Sequence, residues 1–370
     1  MTTTFSRRRL LAALPLGLAM PIARAAARSP RYTVQVLPLD DRSSIRIAGM
    51  AGDFVAGNSY QHDPYDTEPG LTAVLWDHRH LQFRRPFGQK NTGIWGVNTL
   101  GTMIGHCNVP GLRDMRAVRI PLDRPAETLL PRQLEAYSIA LAINDAGVIV
   151  GHYHLRNDWR YQGFRWANGV HELLPSPSPD CVNHPAGINA EGTIVGRLRY
   201  QQPDGQFHGG ACVYRGDELT FLPADPDFHS EAVAINDEGW IVGHQTSINN
   251  FYAQPVLWRL RDGAYRLRRL PVPPGAMLSR PAAINASGAV VGTAEFVGGN
   301  PDYWLERGWV WDRGELLLLD DVVGELPPHV HITRAHAIDA QGRIGVTLQR
   351  YFPGRQERMR SSAVLHPIAP

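Results

Sequence analysis

The chain has 370 residues, including 36 Gly and 29 Pro, with 43% hydrophobic residues and a formal net charge of +2. After about the first thirty residues it has neither a long helical periodicity nor an apolar run able to cross a bilayer, which argues against a helical repeat and a transmembrane bundle. We therefore expect a turn-rich, all-β mature protein with no membrane insertion.

The N-terminus predicts an export signal. Residues 1–25 combine a charged start, a short apolar run and a small-residue cleavage segment at Ala23–Ala25, the pattern of a cleaved signal peptide. Arg7 and Arg8 stand ahead of leucines and resemble the twin-arginine export signal, with an ordinary secretion signal as the alternative. The mature protein is expected to be periplasmic or secreted, with residues 26–31 as a linker.

Removal of the signal changes the charge balance. Residues 1–25 carry four arginines and no acidic residue, so cleavage changes the formal charge from +2 to −2. Lys90 is the only lysine, and the arginines are scattered over every repeat of the chain. This distribution offers no basic stripe in the sequence and predicts no nucleic-acid partner.

The cysteine count leaves two alternatives open. The chain has three cysteines, Cys107, Cys181 and Cys212. In an oxidising compartment one pair could form a disulfide, and Cys181 with Cys212 is the nearest pair in sequence. Three buried, unpaired thiols are the alternative.

One segment recurs along the chain and defines its organisation. Leu141–Gly151 has the sequence LAINDAGVIVG, and five further copies follow the same pattern, while Gly52–Gly57 is a worn first copy. The steps between the central Asn or Asp residues are 46, 45, 47, 49 and 54 residues, a period typical of a propeller, solenoid or array. The central residues are Asn98, Asn144, Asn189, Asn236, Asn285 and Asp339.

Each repeat contains four strand-like runs. The Asn-x-x-Gly segment predicts a type I turn with Gly at positive φ that closes a hairpin, and the Asn side chain can bond the backbone two residues further on. A third run such as Pro255–Trp258 and a fourth such as His171–Pro175 follow. Four short strands separated by turns describe one propeller blade, and the Asn residues are interpreted as structural.

The two ends of the chain complement each other. The last repeat stops after its third strand, Ala363–His366, whereas Tyr32–Leu39 looks like a fourth strand with nothing ahead of it. This predicts a single seven-bladed β-propeller over residues 32–366, closed by the N-terminal strand on the last blade. Six blades with a separate N-terminal hairpin is the alternative. The Ala-Ile-Asn strand is then innermost, which fits the small residue that precedes each Ile or Val.

The hairpin followed by an Ala-x-Leu-Trp strand resembles the HAF repeat, an extracellular repeat family of exported bacterial proteins. The resemblance covers nearly all of the mature chain and implies an architecture without implying a reaction. The chain departs from the family pattern in the worn first unit, in Asp339, and in Trp309 at a position that usually holds a small residue.

Candidate site residues follow the strand-ending glycines. With the predicted strand order, these residues and the start of each first strand lie on the rim opposite the Asn hairpins, where copies converge on one axis. This predicts a His/Arg-lined pocket at the channel mouth, holding an anionic ligand or a divalent metal at His106, His152 and His244. Simple strand capping by each histidine is the alternative. The candidates after the glycines are His106, His152, Arg197, His244 and Thr293, and those near the first strands are His184, His229 and His336.

The long segments between second and third strands share that rim and contain aromatic residues. Rings interleaved with Asn, Asp and Arg suit stacking on sugar faces. Packing of the rings onto the blade tops is the alternative. The candidates are Trp159, Tyr161, Tyr252, Tyr303 and Trp304.

These patterns favour an exported, non-enzymatic and monomeric binding protein whose ligand is a glycan or a protein. No zinc-protease motif, nucleophile elbow, phosphate loop or paired-Cys metal site is present. The alternative is a metal-assisted polysaccharide lyase or hydrolase that uses the His/Arg pocket, and a purely structural envelope protein is the third possibility.

Overall fold

The computed structural model describes residues 31–37, 43–61, 71–89, 91–158, 160–178, 180–201, 207–249, 252–297, 304–351 and 358–368. Within these ranges the chain forms strands, numbered here from β1 to β28, and two short 3-10 turns at Pro86–Gly88 and Leu319–Asp321. No helix in the described part of the chain is long and apolar enough to span a membrane.

The strands follow one another as antiparallel meanders of four. The first strand in the chain, β1 (Tyr32–Val36), belongs to the last sheet. One sheet contains β2 (Ser43–Ala51), β3 (Phe54–Gln61), β4 (Leu71–Trp76) and β5 (Leu81–Arg84). The next contains β6 (Gly93–Val97), β7 (Met103–Cys107), β8 (Arg116–Ile120) and β9 (Glu127–Thr128).

The pattern continues with the same order of strands. A sheet contains β10 (Ala136–Ile143), β11 (Ile149–Leu155), β12 (Gln162–Ala167) and β13 (Val170–Leu173). Another contains β14 (Val182–Ile188), β15 (Ile194–Gln201), β16 (Phe207–Arg215) and β17 (Glu218–Phe221).

The remaining strands form one eight-stranded sheet and a final sheet of four. The first half of the eight contains β18 (Phe228–Ile235), β19 (Ile241–Ser247), β20 (Ala253–Arg261) and β21 (Ala264–Arg269). The second half contains β22 (Ala276–Ile284), β23 (Val290–Val297), β24 (Trp304–Asp312) and β25 (Glu315–Leu318). A single parallel bridge, Ala253 to Leu278, joins the halves. The final sheet contains β26 (Val330–Ile338), β27 (Ile344–Tyr351), β28 (Arg358–Pro367) and β1.

The N-terminal strand completes the final sheet. β1 pairs antiparallel with β28, from Tyr32 opposite Pro367 to Val36 opposite Ala363. Leu37 follows β1, is buried, and donates its N–H to the Ser362 carbonyl at 2.9 Å. The prediction that the N-terminal strand supplies the missing outer strand of the last repeat is confirmed.

The first strand of each repeat lies at the centre of the molecule. β2, β6, β10, β14, β18, β22 and β26 contact one another in succession, and β26 contacts β2. Each sheet packs on the next through a shared apolar core, including one between β28 and the first sheet that contains Leu37, Ile47, Trp76 and Val364. The fold is an all-β propeller arrangement of separate sheets.

A bulge recurs at the same point of each innermost strand and explains the glycine that recurs in the second strands. The prediction that this glycine ends the second strand is wrong, because β19, for example, continues from Gly243 to Ser247. The pairing register with the second strand shifts by one residue at each bulge. A Cβ at Gly243 would lie 1.9 Å from the Glu231 carbonyl oxygen, and one at Gly105 would lie 1.9 Å from the Gly93 oxygen. Only glycine fits at these two positions, whereas the last sheet has Val346 at the matching place, opposite Ala335. The bulged residues are Ala48, Trp95, Leu141, Ala186, Val233, Ala282 and His336.

The repeated Asn links neighbouring sheets as well as closing its own turn. The Asn236 side-chain oxygen accepts the N–H four residues on, from Trp240, at 2.8 Å. Its amide nitrogen donates 2.9 Å to the carbonyl of Asn285, the corresponding residue of the next repeat. Asn98, Asn144, Asn189 and Asn285 make the same forward bond. The sequence pointed only to a local bond two residues on, so the link between repeats is new.

The last junction is built differently. Asp339 has no side-chain amide nitrogen that could donate to a carbonyl of the first sheet. Arg343 supplies the donor instead: its Nε donates to the Asp339 carboxylate at 2.5 Å and its Nη2 donates to the Gly52 carbonyl of the first sheet. The Asp339 departure from the repeat pattern is therefore part of the junction between the last and first repeats.

All three cysteines are unpaired and buried. Of the two alternatives drawn from the sequence, the structure therefore has the three free thiols and no disulfide between Cys181 and Cys212. Burial raises the pKa of Cys107 to about 12, and burial likewise raises that of Cys212 to about 12. Both thiols are protonated at neutral pH and are unreactive as nucleophiles.

Candidate functional site

The innermost strands form the wall of a central channel. In each innermost strand the residue just before the bulge is buried, and the bulged residue is at least partly exposed. Neighbouring innermost strands approach closely, since a Cβ at Gly187 would lie 3.2 Å from the Ala234 Cα. This contact is the reason for the small residues noted in the sequence.

One side of the channel carries a group of aromatic and imidazole rings, here called the ring cluster. Its members come from three consecutive sheets, those of β6–β9, β10–β13 and β14–β17. Successive ring centroids lie 4.6 to 6.4 Å apart. The members are Trp95, His106, Tyr137, His152, His154, Tyr161 and His184.

Trp95 is the most open member of the cluster. It occupies the bulged position of β6 and is 41% exposed. Its Nε1 donates to His106 Nδ1 at 3.1 Å, which fixes His106 as the tautomer with its proton on Nε2. The hydrogen bond to His106 therefore holds the indole in one orientation while part of the ring stays open to solvent.

Two histidines of the cluster, His152 and His184, are neutral at neutral pH. Burial lowers the pKa of His152 to about 3, with a smaller contribution from the neighbouring His184 and His154. Burial and the nearby Arg197 lower the pKa of His184 to about 4. The Nδ1 of His152 is sealed from solvent and has no hydrogen-bond partner among the described residues. The cluster offers hydrogen-bonding nitrogens without positive charge.

The lowered pKa of His152 predicts that the protein loses stability as the solution becomes acidic. Because its pKa is lowered in the folded state, the unfolded chain binds the proton better, and stability is lost as pH falls from about 6.5 toward about 3. One such group contributes at most about 1.4 kcal/mol per pH unit. In urea unfolding at pH 7, 6 and 5, His152→Phe should show a shallower pH dependence than the wild type. His229→Gln, at an exposed position, is the control, and equal slopes for all three proteins would contradict the prediction.

The opposite side of the channel carries arginine–glutamate pairs. Arg197 lies 3.3 Å from Glu231, and Arg280 lies 3.0 Å from Glu295. A fork from Arg334 holds both carboxylate oxygens of Glu306 at 2.8 and 2.5 Å. On β2, Arg46 is exposed and makes no hydrogen bond or ion pair with the described residues. The channel is thus aromatic on one side and charged on the other.

Two further histidines lie on the charged side. Burial, then Arg280 and Arg197, lower the pKa of His244 to about 4. Its Nδ1 is sealed and without a partner in the described part of the chain. His336 Nε2 bonds Thr347 Oγ1 at 2.8 Å, and burial lowers its pKa to about 3.

The structure brings several predicted residues together and separates others. His106, His152, His184 and Tyr161 belong to the ring cluster, and Arg197 and His244 lie beside it on the charged side. Tyr252 is half-buried before β20, where its carbonyl accepts the Ser247 N–H at 3.0 Å. Thr293 pairs opposite Arg280. Trp159, Tyr303 and the side chain of Trp304 lie outside the described residues.

The three histidines expected at equivalent starts of the first strands are not equivalent. His336 is the bulged residue of β26, and His184 lies two residues before the bulge of β14. His229 lies four residues before the bulge of β18 and is exposed. They precede the Asn or Asp of the turn by three, five and seven residues, so they lie at different levels along the innermost strands.

The sequence missed Trp95, Tyr137 and His154 as site residues. Trp95 was visible as the only aromatic at a position where the other repeats carry Ala, Leu, Val or His. Tyr137 and His154 face each other across the β10–β11 pair, with ring centroids 5.3 Å apart. That contact depends on the strand register and has no signal in the sequence alone.

The predicted metal ligands come from three different sheets. His106 lies on β7, His152 on β11 and His244 on β19. Across the described ranges no group of three or more His, Cys, Asp or Glu residues is arranged to hold a metal ion. The closest pair of imidazoles in the ring cluster is His152 with His184, whose centroids are 4.7 Å apart.

The comparisons with known proteins agree with this geometry at the level of the fold. No protein-family model and no curated protein matches the chain. The β-propeller domain of the Trilobed protease from Pyrococcus furiosus is similar, with 12% identity, a TM-score of 0.61, and coverage of 89% of this chain and 94% of that one. The oligogalacturonate lyase from Vibrio parahaemolyticus has 10% identity, a TM-score of 0.59, and coverage of 93% and 98%.

A third similar structure is the acylaminoacyl peptidase from Pyrococcus horikoshii, with 11% identity and a TM-score of 0.55. The match covers 83% of this chain and 49% of that one. Likeness at such low identity concerns the fold alone, because unrelated functions share the same architecture. The protein is of the β-propeller class.

Proposed function

We propose that this chain is an exported seven-bladed β-propeller of the HAF-repeat type that binds a glycan at the mouth of its channel. Each group of four strands is one blade, β1 closes the ring on β28, and the signal of residues 1–25 is removed on export. The mature protein is a monomer and binds no nucleic acid.

The observation that carries the proposal is the two-sided channel. Aromatic faces bind the apolar faces of sugar rings, and Trp95 presents one such face at 41% exposure. Neutral His184 and the guanidinium of Arg46 supply hydrogen bonds to hydroxyl or carboxylate groups across the opening. A sugar ring carrying polar groups on its edge satisfies both sides at once.

An enzyme acting on an acidic polysaccharide, a lyase or hydrolase, is the second candidate. It is supported by the likeness to the oligogalacturonate lyase over nearly the whole of both chains, which is a likeness of fold, and by the unpartnered Nδ1 atoms of His152 and His244. The lowered pKa values of these histidines make them weak bases near neutral pH, which favours binding over proton transfer.

Titration with a panel of neutral and uronic-acid oligosaccharides, followed by tryptophan fluorescence and calorimetry, tests the proposal. Wild-type protein should bind at least one of them, and Trp95→Ala should weaken that binding by about tenfold or more, the loss of one stacked ring. Trp95→Phe should lose less, because it keeps an aromatic face.

Leu100→Ala is the matched control, since Leu100 is 66% exposed in the Asn98 turn and belongs to no ring contact of the cluster. Equal affinities for the wild type and Trp95→Ala would remove the ring cluster as the binding site. Appearance of unsaturated or shortened products during the titration would favour the enzyme over the binding protein.

A further inference from the structure

A second charged surface lies on the outer side of the molecule, far from the channel. β20 and β21 are the outer strands of their sheet, and their hairpin carries Arg259, Arg261, Arg266 and Arg268. Arg259 pairs directly opposite Arg266, and Arg268 pairs opposite Leu257. Residues two apart on a strand, and residues directly opposite, share a face, so the four guanidinium groups project from one face.

This arginine face is not neutralised within the molecule. No carboxylate among the described residues forms an ion pair with any of the four side chains, whereas Arg269, on the other face, is paired with Asp225 at 2.8 Å. Like charges directly opposite in a sheet destabilise it. Arg261 and Arg268 also lower the pKa of Arg259, after the larger effect of burial, which shows how close the charges lie.

Two tryptophans hold the arginines in place. The guanidinium of Arg259 lies 3.0 Å from the centroid of the Trp240 ring, and that of Arg268 lies 5.3 Å from the Trp311 ring. Such stacking orients the planar guanidinium. The Nε of Arg259 is sealed from solvent, so the more exposed Arg268 is the stacked arginine that can bond an anion through its full N–H edge. Arg261 and Arg266 are exposed.

We propose that the arginine face is an anchoring site for a linear polysaccharide that carries carboxylate or sulfate groups. A flexible chain with regularly placed anions matches a row of cations that follows two neighbouring strands. The guanidinium fork bonds carboxylate and sulfate oxygens in the same bidentate manner. This site is separate from the channel and stands independently of the glycan proposed there.

The surroundings argue against other polyanions. Single-stranded nucleic acid binding needs open aromatic faces for base stacking, and here both tryptophans lie beneath arginines. A membrane surface is better bound by an exposed large apolar side chain on the same face, and Leu257 on this face is fully buried while the exposed Leu260 alternates to the other face.

Affinity electrophoresis in polygalacturonate and in dextran sulfate tests the site and separates its two possible anions. The triple variant Arg261→Gln/Arg266→Gln/Arg268→Gln should lose about tenfold or more in affinity at low salt, and the wild-type binding should weaken steeply with added salt. Arg259 is left unchanged because it packs on Trp240. Fully methyl-esterified polygalacturonate should not bind.

The matched control is Arg113→Gln/Arg124→Gln/Arg313→Gln, which removes the same charge from exposed arginines elsewhere. All variants are repeated with Trp95→Ala, which removes any contribution from the channel. The proposal is overturned by equal loss in the two triple variants, by no wild-type binding to either polymer, or by binding to DNA alone.

Discussion

Gly243→Ala is expected to lower the free energy of unfolding by about 3 kcal/mol, at the upper end of what overpacking usually costs. A methyl group at this position would meet the Glu231 carbonyl oxygen at 1.9 Å, the Trp258 ring at 2.8 Å and the Ala232 Cα at 2.9 Å. Two of these neighbours are backbone atoms of the bulged innermost strand, so relief requires that strand to move away from the channel. Urea unfolding followed by circular dichroism measures the loss.

Gly324→Ala is the control for this variant. Gly324 has no atom within 4 Å of an added Cβ, and its φ is not in the left-handed region, so the same substitution should change stability by less than about 1 kcal/mol. Comparable losses of stability in the two variants would show that the bulge does not explain the glycine that recurs in the second strands.

Removal of the N-terminal strand is expected to have the largest effect on stability. A chain that starts at residue 38 loses all five residue pairs of β1 with β28 and the fully buried Leu37. The loss of Leu37 alone costs about 2–5 kcal/mol, judged from large-to-small core substitutions. We expect a fall of more than about 4 kcal/mol in unfolding free energy, and association through the bare edge of β28.

The comparison is with a chain that starts at residue 31, measured by thermal unfolding and by light scattering. The propeller domain of the Pyrococcus furiosus Trilobed protease has an open velcro topology, in which the first and last strands do not close the ring. A propeller fold therefore does not by itself require such a closing strand. Equal melting temperatures and no association would mean that β1 is dispensable here as well.

The sequence predicted the architecture well because its signal is periodic. The recurring Asn-x-x-Gly turns located the hairpins, and the mismatch between the two chain ends predicted the β1–β28 pairing. The forward bond from Asn236 to the Asn285 carbonyl was not predictable, because it joins residues 49 apart whose proximity comes from packing.

The candidate site was predicted less completely, for a physical reason. His152 and His184 were found because they differ between otherwise similar repeats. Arginines that looked scattered in the chain, such as Arg259 and Arg266, prove to be directly opposite across a hairpin. A one-dimensional count of charges has no access to strand register, and register decides which side chains share a face.

The residue at the recurring bulge differs from repeat to repeat, although the strand pairing around it is the same. In six of the seven innermost strands a glycine lies opposite the residue just before the bulge, and the last strand has Val346 there. The bulged side chain is at least partly exposed in every innermost strand. The residue there ranges from Ala48 to Trp95 to His336 within one chain. One backbone conformation therefore accepts residues as different as Ala, Leu, Val, Trp and His, so that the surface of the innermost strands can change chemically while the strand pairing is kept.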